Sequence, residues 1–177
     1  DLQQGVLDFS IDNSAFFDHV GDAQVKGLEL DVTWAVSDLL SVFGSFSYID
    51  AELVELPPAI TNISPAGSEL PFAPDVQWTL GARYEREFSN FTGYAQTVAK
   101  YTDDRFSSLV EVARFPVDSY TEVDASVGAT MGQWNGSLYI DNLTDERGQL
   151  DVGVPDLIFR VNPIRPRTVG VRVSYDF

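Results

Sequence analysis

A chain of 177 residues with a formal net charge of -16 at pH 7 and no cysteine excludes several classes at once. The acidity argues against nucleic-acid partners, which need a basic surface, and the missing thiols exclude a disulfide scaffold and any cysteine metal or redox site. No apolar run reaches the roughly 18 residues of a transmembrane helix, yet a mean hydropathy of -0.06 suits strands that alternate apolar and polar residues. The chain opens on Asp1 without a basic or apolar leader, so it is expected to be the C-terminal piece of a longer protein.

Period-two alternation predicts strands in chain order. Residues 5–22 are expected to hold one irregular strand and its loop, with the single His19 as a loop or rim residue. Over 23–36, Leu28, Leu30, Val32 and Trp34 share one face and Glu29, Asp31 and Thr33 the other; Ser37-Asp38 turns the chain. Over 39–53, Leu40, Val42, Gly44, Phe46 and Tyr48 oppose Ser41, Ser45 and Ser47, with Phe43 breaking the polar face. A Pro-rich stretch leads to a strand over 75–87, where Val76, Trp78, Leu80, Ala82 and Tyr84 oppose Gln77, Thr79, Arg83 and Glu85. After Phe88-Ser89-Asn90, a less regular strand covers 91–101. Then come strands over 120–131, 134–142 and 168–177; in the last, Val169, Val171, Val173, Tyr175 and Phe177 alternate with polar or small residues.

Two regularities organise these strands. Their connections alternate between two or three residues and roughly fifteen to twenty, the pattern of outer-membrane barrels with short periplasmic turns and long external loops. The expected external loops are 54–74, 102–119 and 143–166, and the C-terminus falls on the periplasmic side. Aromatics sort by depth on the apolar face: Trp34, Tyr84, Phe91, Trp134, Tyr175 and Phe177 at one end, Tyr48, Trp78 and Tyr101 at the other. Two aromatic belts bounding an aliphatic band are what membrane interfaces select, whereas a β-sandwich core, the soluble alternative, has no such ordering. The predicted class is all-β: an antiparallel meander of about seven to eight transmembrane strands.

Four stretches resemble the barrel of TonB-dependent outer-membrane receptors. They are Gly21-Asp22-Ala23-Gln24-Val25-Lys26-Gly27-Leu28-Glu29-Leu30, Leu70-Pro71-Phe72-Ala73-Pro74, Asn142-Leu143-Thr144-Asp145-Glu146-Arg147, and the terminal strand ending Tyr175-Asp176-Phe177. Each is weak alone; their order and spacing make the resemblance. It implies that residues 1–177 form the C-terminal part of a barrel of about 22 strands, without the plug domain and the earlier strands. It further implies uptake of a scarce ligand, most often a ferric siderophore, with haem, cobalamin and oligosaccharides as alternatives. Implied partners are the bilayer with its outer-leaflet lipopolysaccharide, the receptor's own plug, the TonB complex through the N-terminus, and the barrel-assembly machinery. That machinery is expected to recognise the terminal strand, through Val173, Tyr175 and Phe177. A complete eight-stranded barrel with a structural or adhesion role and a secreted sugar-binding β-domain remain the rival readings.

No P-loop, G-x-S-x-G or H-E-x-x-H motif is present, so no enzyme and no cofactor are expected. By parity Glu29, Asp31, Arg83, Glu85, Lys100, Asp124, Asp141 and Arg172 face the lumen, as contacts for plug or substrate or simply as charges on a solvated wall. Asp103-Asp104 and Asp145-Glu146 lack the spacing of a calcium loop. The loops mix Arg105, Arg114, Arg147 and Arg160 with Phe106, Phe115 and Phe159, a composition suited to ligand capture. Glycosylation-type tripeptides at Asn62, Asn90, Asn135 and Asn142 read as chance matches.

Overall fold

The computed structural model describes residues 6–11, 14–19, 21–55, 64–153 and 159–177. In chain order the strands are β1 (Val6–Ile11), β2 (Ser14–His19), β3 (Asp22–Ala35), β4 (Leu40–Glu55), β5 (Val76–Glu87), β6 (Thr92–Thr102), β7 (Arg105–Phe106), β8 (Pro116–Val117), β9 (Tyr120–Met131), β10 (Trp134–Asp141), β11 (Gln149–Gly153), β12 (Arg160–Pro163) and β13 (Thr168–Tyr175), with a short 3-10 helix at Glu111–Ala113. Seven of them form one antiparallel sheet in the order β13-β10-β9-β6-β5-β4-β3. This is the predicted meander, each long strand pairing with the next long strand in sequence.

The chain departs from expectation at its two ends. Residues 6–19 form two strands, β1 and β2, which pair only with each other among the described residues. No alternation announces them, since Phe16 and Phe17 are adjacent. The side chain of His19, at the end of β2, lies outside the described residues. The terminal strand stops at Tyr175, and Phe177 is fully exposed beyond it.

Register carries the two-face pattern across the sheet, with one shift at Asp22/Ala23 where β3 begins. One row runs Leu30, Phe46, Trp78, Tyr101 and Thr121; another runs Val42, Ala82, Thr97, Ala125, Ile140 and Val169. On the other face lie Ser45, Thr79, Lys100 and Glu122, and, nearer the short turns, Ser41, Arg83, Gln96 and Ser126. Among the described residues nothing covers the apolar face: Leu28 is 63% exposed, Trp34 64% and Val171 68%. The buried apolar side chains, Ala51, Leu53, Leu109, Val117, Val152 and Ile164, instead lie at the end where the long connections gather. A soluble sheet hides its apolar face; this one reserves its small core for the loops.

Short turns close the opposite end. The Ser37 hydroxyl accepts the amide of Leu40 at 3.1 Å, Phe88 stacks on Phe91 at 4.6 Å, and Gly132 adopts φ 59 between β9 and β10. Trp134, Tyr175 and Phe177 stack edge to face at that end, at 4.9 and 5.2 Å. Trp78 and Tyr101 stack at 5.6 Å towards the other.

The polar face solves a different packing problem. Phe43, Tyr94 and Tyr139 lie directly opposite Gly81, Gly128 and Gly170, and each ring occupies the space a Cβ would need. Phe43, the apolar intruder on a polar face, therefore covers bare backbone, as aromatic residues do for glycine in sheets.

A polar clasp sets the entry of the last strand. Asn142, 1% exposed and in the left-handed region at φ 53, ends β10. Its side chain donates to the carbonyls of Glu146 and Arg165, both at 2.9 Å, and accepts the Glu146 amide at 2.8 Å. Asp145 accepts the Arg167 amide at 3.2 Å and pairs with Arg147 at 3.0 Å. The Asn-Leu-Thr-Asp stretch is thus a structural knot joining the start and the end of the connection between β10 and β13. With Asn142 buried and its amide fully used, the tripeptide there is no glycosylation site; Asn62 lies outside the described residues.

Three outcomes follow for the full-length protein. Val171→Lys is expected to cost about 2–4 kcal/mol where hydrocarbon covers the apolar face, read as loss of the heat-modifiable folded band; equal tolerance of Val171→Lys and Ser137→Lys would contradict the two-face assignment. Asn142→Ala leaves buried carbonyls without donors and is expected to destabilise by about 2–4 kcal/mol, with amide exchange rising first over 168–175. The backbone amide of Arg167, then Arg147, hold the Asp145 carboxyl below its ordinary 3.8. A depressed acid contributes stability above its unfolded value and loses it as pH falls through the folded one. The clasp should therefore loosen below pH 3.8, and protection factors at Arg147 and Arg167 that stay constant as pH falls would show that the pairing is idle.

Candidate functional site

Two surfaces bear polar chemistry: the polar face of the sheet and the cap formed by the long connections. On the sheet, alternation places Glu29 and Asp31 on β3, Arg83 and Glu85 on β5, Lys100 on β6, Asp124 on β9, Asp141 on β10 and Arg172 on β13, all on one face. Lys100 reaches Asp124 at 2.7 Å, and the other oxygen of Asp124 accepts the Asn142 amide at 3.0 Å. Arg83 pairs with Glu85 at 2.6 Å, donates to Gln96 at 3.2 Å and lies 4.0 Å over the Tyr94 ring. Arg172 lies 5.3 Å over Tyr139. Glu29, Asp31 and Asp141 make no ion pair or side-chain hydrogen bond among the described residues.

Six of these eight residues line two adjoining depressions that share Lys100. One, of about 430 Å³, includes Glu29, Asp31, Ser47, Gln77 and Lys100. The other, of about 230 Å³, includes Lys100, Asp124, Tyr139, Asp141 and Arg172. Arg83 and Glu85 stand outside both. A larger depression of about 610 Å³ lies on the apolar face around Ala82, Ala95 and Ala125; its hydrocarbon lining suits acyl chains rather than a polar solute. Tyr175 and Val173 pair with Trp134 and Gly136 on one edge of β13, the Tyr175 hydroxyl donates to Gln133 at 2.5 Å, and the strand's other edge is unpaired in this sheet.

The cap sorts the loop arginines by task. Arg105 is 6% exposed and donates to the carbonyls of Gln149 and Leu150 at 3.0 and 2.9 Å. Arg114 covers the Phe106 ring at 3.8 Å and donates to the Glu69 carbonyl at 3.1 Å. Arg147 pairs with Asp145. Of the four, Arg160 alone is exposed with no partner among the described residues. Buried Ser64 bonds the Leu109 carbonyl at 2.7 Å through its amide and Glu111 at 3.1 Å through its hydroxyl, and Phe115 meets Phe159 edge to face at 5.7 Å. Residues 56–63 and 154–158 of the expected external loops lie outside the described residues. The organising roles of Ser64, Arg105 and Asn142 were not legible in sequence, because their partners include backbone carbonyls and amides up to 45 residues away.

Acids gather where β4, β5 and β6 meet the cap. Burial, then the neighbouring Asp103, Asp50 and Asp104, push the Asp75 carboxyl up from 3.8. The Asp103 carboxylate accepts the Tyr101 hydroxyl at 2.7 Å. Among the described residues no three His, Cys, Asp or Glu side chains are arranged to hold a metal ion.

Comparison with known proteins places this architecture. The family model described as "TonB dependent receptor-like, beta-barrel" matches residues 2–143. The ferrioxamine receptor of Yersinia enterocolitica is 28% identical over 144 residues, which cover 76% of this chain and 18% of that protein. Among solved structures, the ferric yersiniabactin uptake receptor of Yersinia pestis superposes with a TM-score of 0.76 at 20% identity, over 92% of this chain and 25% of that one. The siderophore receptor PiuA of Acinetobacter baumannii gives 0.68 at 21%, over 94% and 23%. The chain thus spans about a quarter or less of the length of these relatives, and its sheet corresponds to part of their barrels. An uncovered apolar face, two aromatic belts and long connections at one end only are the physical counterpart of that match: the chain belongs to the TonB-dependent receptor family of the bacterial outer membrane, as part of its β-barrel.

Proposed function

We propose that the chain is the C-terminal wall of a receptor that captures a ferric siderophore outside the cell and admits it by TonB-dependent uptake. The uncovered apolar face carries this reading: a sheet built to lie in hydrocarbon, with a structured cap at one end, presents that cap to the exterior. The names of the similar receptors, for ferrioxamine and ferric yersiniabactin, supply the class of ligand. This is a receptor family and not an enzyme family, and the polar face supplies pairing partners rather than a nucleophile and base.

In this reading each surface has one partner. Bilayer lipid and outer-leaflet lipopolysaccharide cover the apolar face. The connections 54–74, 102–119 and 143–166 lie outside, and the C-terminus is periplasmic. The receptor's own plug faces Glu29, Asp31, Arg83, Lys100, Asp124, Asp141 and Arg172. The charges already paired within the wall, Arg83 and Lys100, hold its surface in shape. Glu29 and Asp31, which have no ion pair among the described residues, are the positions where plug cations dock. The TonB complex acts on the plug through the N-terminal part of the whole receptor, and the barrel-assembly machinery reads Val173 and Tyr175 on the open edge of β13 and Phe177 just beyond it.

The decisive experiment supplies the full-length receptor to an iron-starved host lacking its own receptors. Radiolabelled iron uptake is followed from hydroxamate, phenolate and catecholate siderophores, with and without TonB. Uptake of one class that disappears without TonB is expected; a receptor folded in the outer membrane that imports none of them sinks the reading. Reversing Glu29 and Asp31 to Lys is expected to loosen the plug, seen as new sensitivity to an antibiotic too large for porins. Unchanged sensitivity would mean that these two acids merely solvate the wall.

A further inference from the structure

The cap contains a buried guanidinium whose chemistry the uptake reading leaves unused. Arg105 opens the short strand β7, paired with Val117 of β8, and both residues are buried. It meets no carboxylate among the described residues. Its guanidinium donates to three main-chain carbonyls: Asp103 at 3.5 Å, Gln149 at 3.0 Å and Leu150 at 2.9 Å. The last two belong to the next long connection, at a defined place in it. The β11–β12 hairpin pairs Gln149 with Pro163 and then Asp151 with Asn162, so its register shifts at Leu150. A bulge leaves a residue out of the ladder with backbone groups that need partners from elsewhere. Arg105 supplies those donors from another loop.

Two further contacts hold the same hairpin. The Tyr120 ring packs against Gly148 at its base, filling the space a Cβ would take, and the Ile164 amide donates to the Gly148 carbonyl at 2.8 Å. Phe115 meets Phe159 next to Arg160. The segment carrying Phe115, residues 107–115, is itself tied to the first long connection by Ser64 and Arg114.

We infer that Arg105 is the positioning residue for the β11–β12 hairpin, so that Phe159 and Arg160 are presented to ligand on a preassembled cap rather than on loops that close one at a time. This deepens the uptake reading and rests on it for the ligand, a ferric siderophore, though not for the position of the hairpin. A planar guanidinium spans several carbonyls where an ammonium is a point donor. Lysine at this position keeps the charge and restores only part of the grip.

The test uses the full-length receptor in detergent, checked for folding by heat-modifiable mobility, as wild type, Arg105→Lys and Arg105→Met. Trypsin cleavage at the Arg160–Val161 bond is timed without ligand. Losing hydrogen bonds from a charged donor should speed it about tenfold or more in Arg105→Met, with Arg105→Lys between the two. In parallel, the Kd for the imported ferric siderophore should rise by about tenfold in Arg105→Met and be partly rescued by Arg105→Lys. Equal cleavage rates in folded wild type and Arg105→Met overturn the inference. So does faster cleavage with unchanged Kd, which would make the grip irrelevant to capture. Wild-type receptor that binds no ferric siderophore sinks the uptake reading instead, and the ligand-free cleavage rates then decide the positioning of the hairpin alone.

Discussion

The structure depends on one constraint: an apolar face that the protein itself never covers. Each large side chain buried from water contributes roughly 1.5–3 kcal/mol, and this sheet leaves Leu28, Leu30, Val32, Trp34, Leu80, Leu138 and Val171 exposed along its face. Only a hydrocarbon solvent makes that arrangement favourable. The same solvent forbids unpaired backbone, so the sheet must continue beyond β3 and β13 in the whole barrel. The aromatic belts, the two-face register and the segregation of turns from loops all serve that setting.

The two faces of the sheet then obey different rules. Against lipid, rows of aliphatic residues need only be apolar, and depth selects where the rings stand. The polar face is shaped by fitting of its own. Rings fill the gaps over Gly81, Gly128 and Gly170, and in two cases an arginine lies over the ring: Arg83 on Tyr94 and Arg172 on Tyr139. Stacking fixes each guanidinium without using all of its donors. The Lys100–Asp124 pair, half open to solvent on the lysine side, contributes about 0–1 kcal/mol. Its value lies in holding the wall in one arrangement next to Asn142.

At the loop end the chain behaves like a small soluble domain. The segment at Glu69 pairs back onto β4 at Glu52, next to Ala51 and Leu53, while Leu109, Val117, Val152 and Ile164 complete a core drawn from β4 and the second and third long connections. Arginine tasks divide accordingly. Arg105 and Arg114 are spent on architecture and Arg147 pairs with Asp145, which leaves Arg160 as the one of the four that is exposed with no partner among the described residues. Composition alone suggests four equivalent arginines for a ligand; burial and carbonyl partners separate them.

Sequence by itself determined the parts governed by a local period. A strand repeats every two residues, so Leu28, Leu30, Val32 and Trp34 declare their face, and Glu29 and Asp31 the other, without any knowledge of neighbours. The seven long strands, the alternation of short and long connections and the belts follow from that rule. The family could be read from four short stretches in order. Tertiary structure decided what depends on groups distant in the chain. The β1–β2 hairpin has no alternation to read, Phe43 makes sense only once Gly81 lies opposite it, and the Asn142 clasp needs the carbonyl of Arg165. Arg105 is the extreme case. Its charge is visible in sequence, but its partners are main-chain carbonyls at a bulge about forty-five residues on, and every residue has a carbonyl, so only the fold selects the ones it meets.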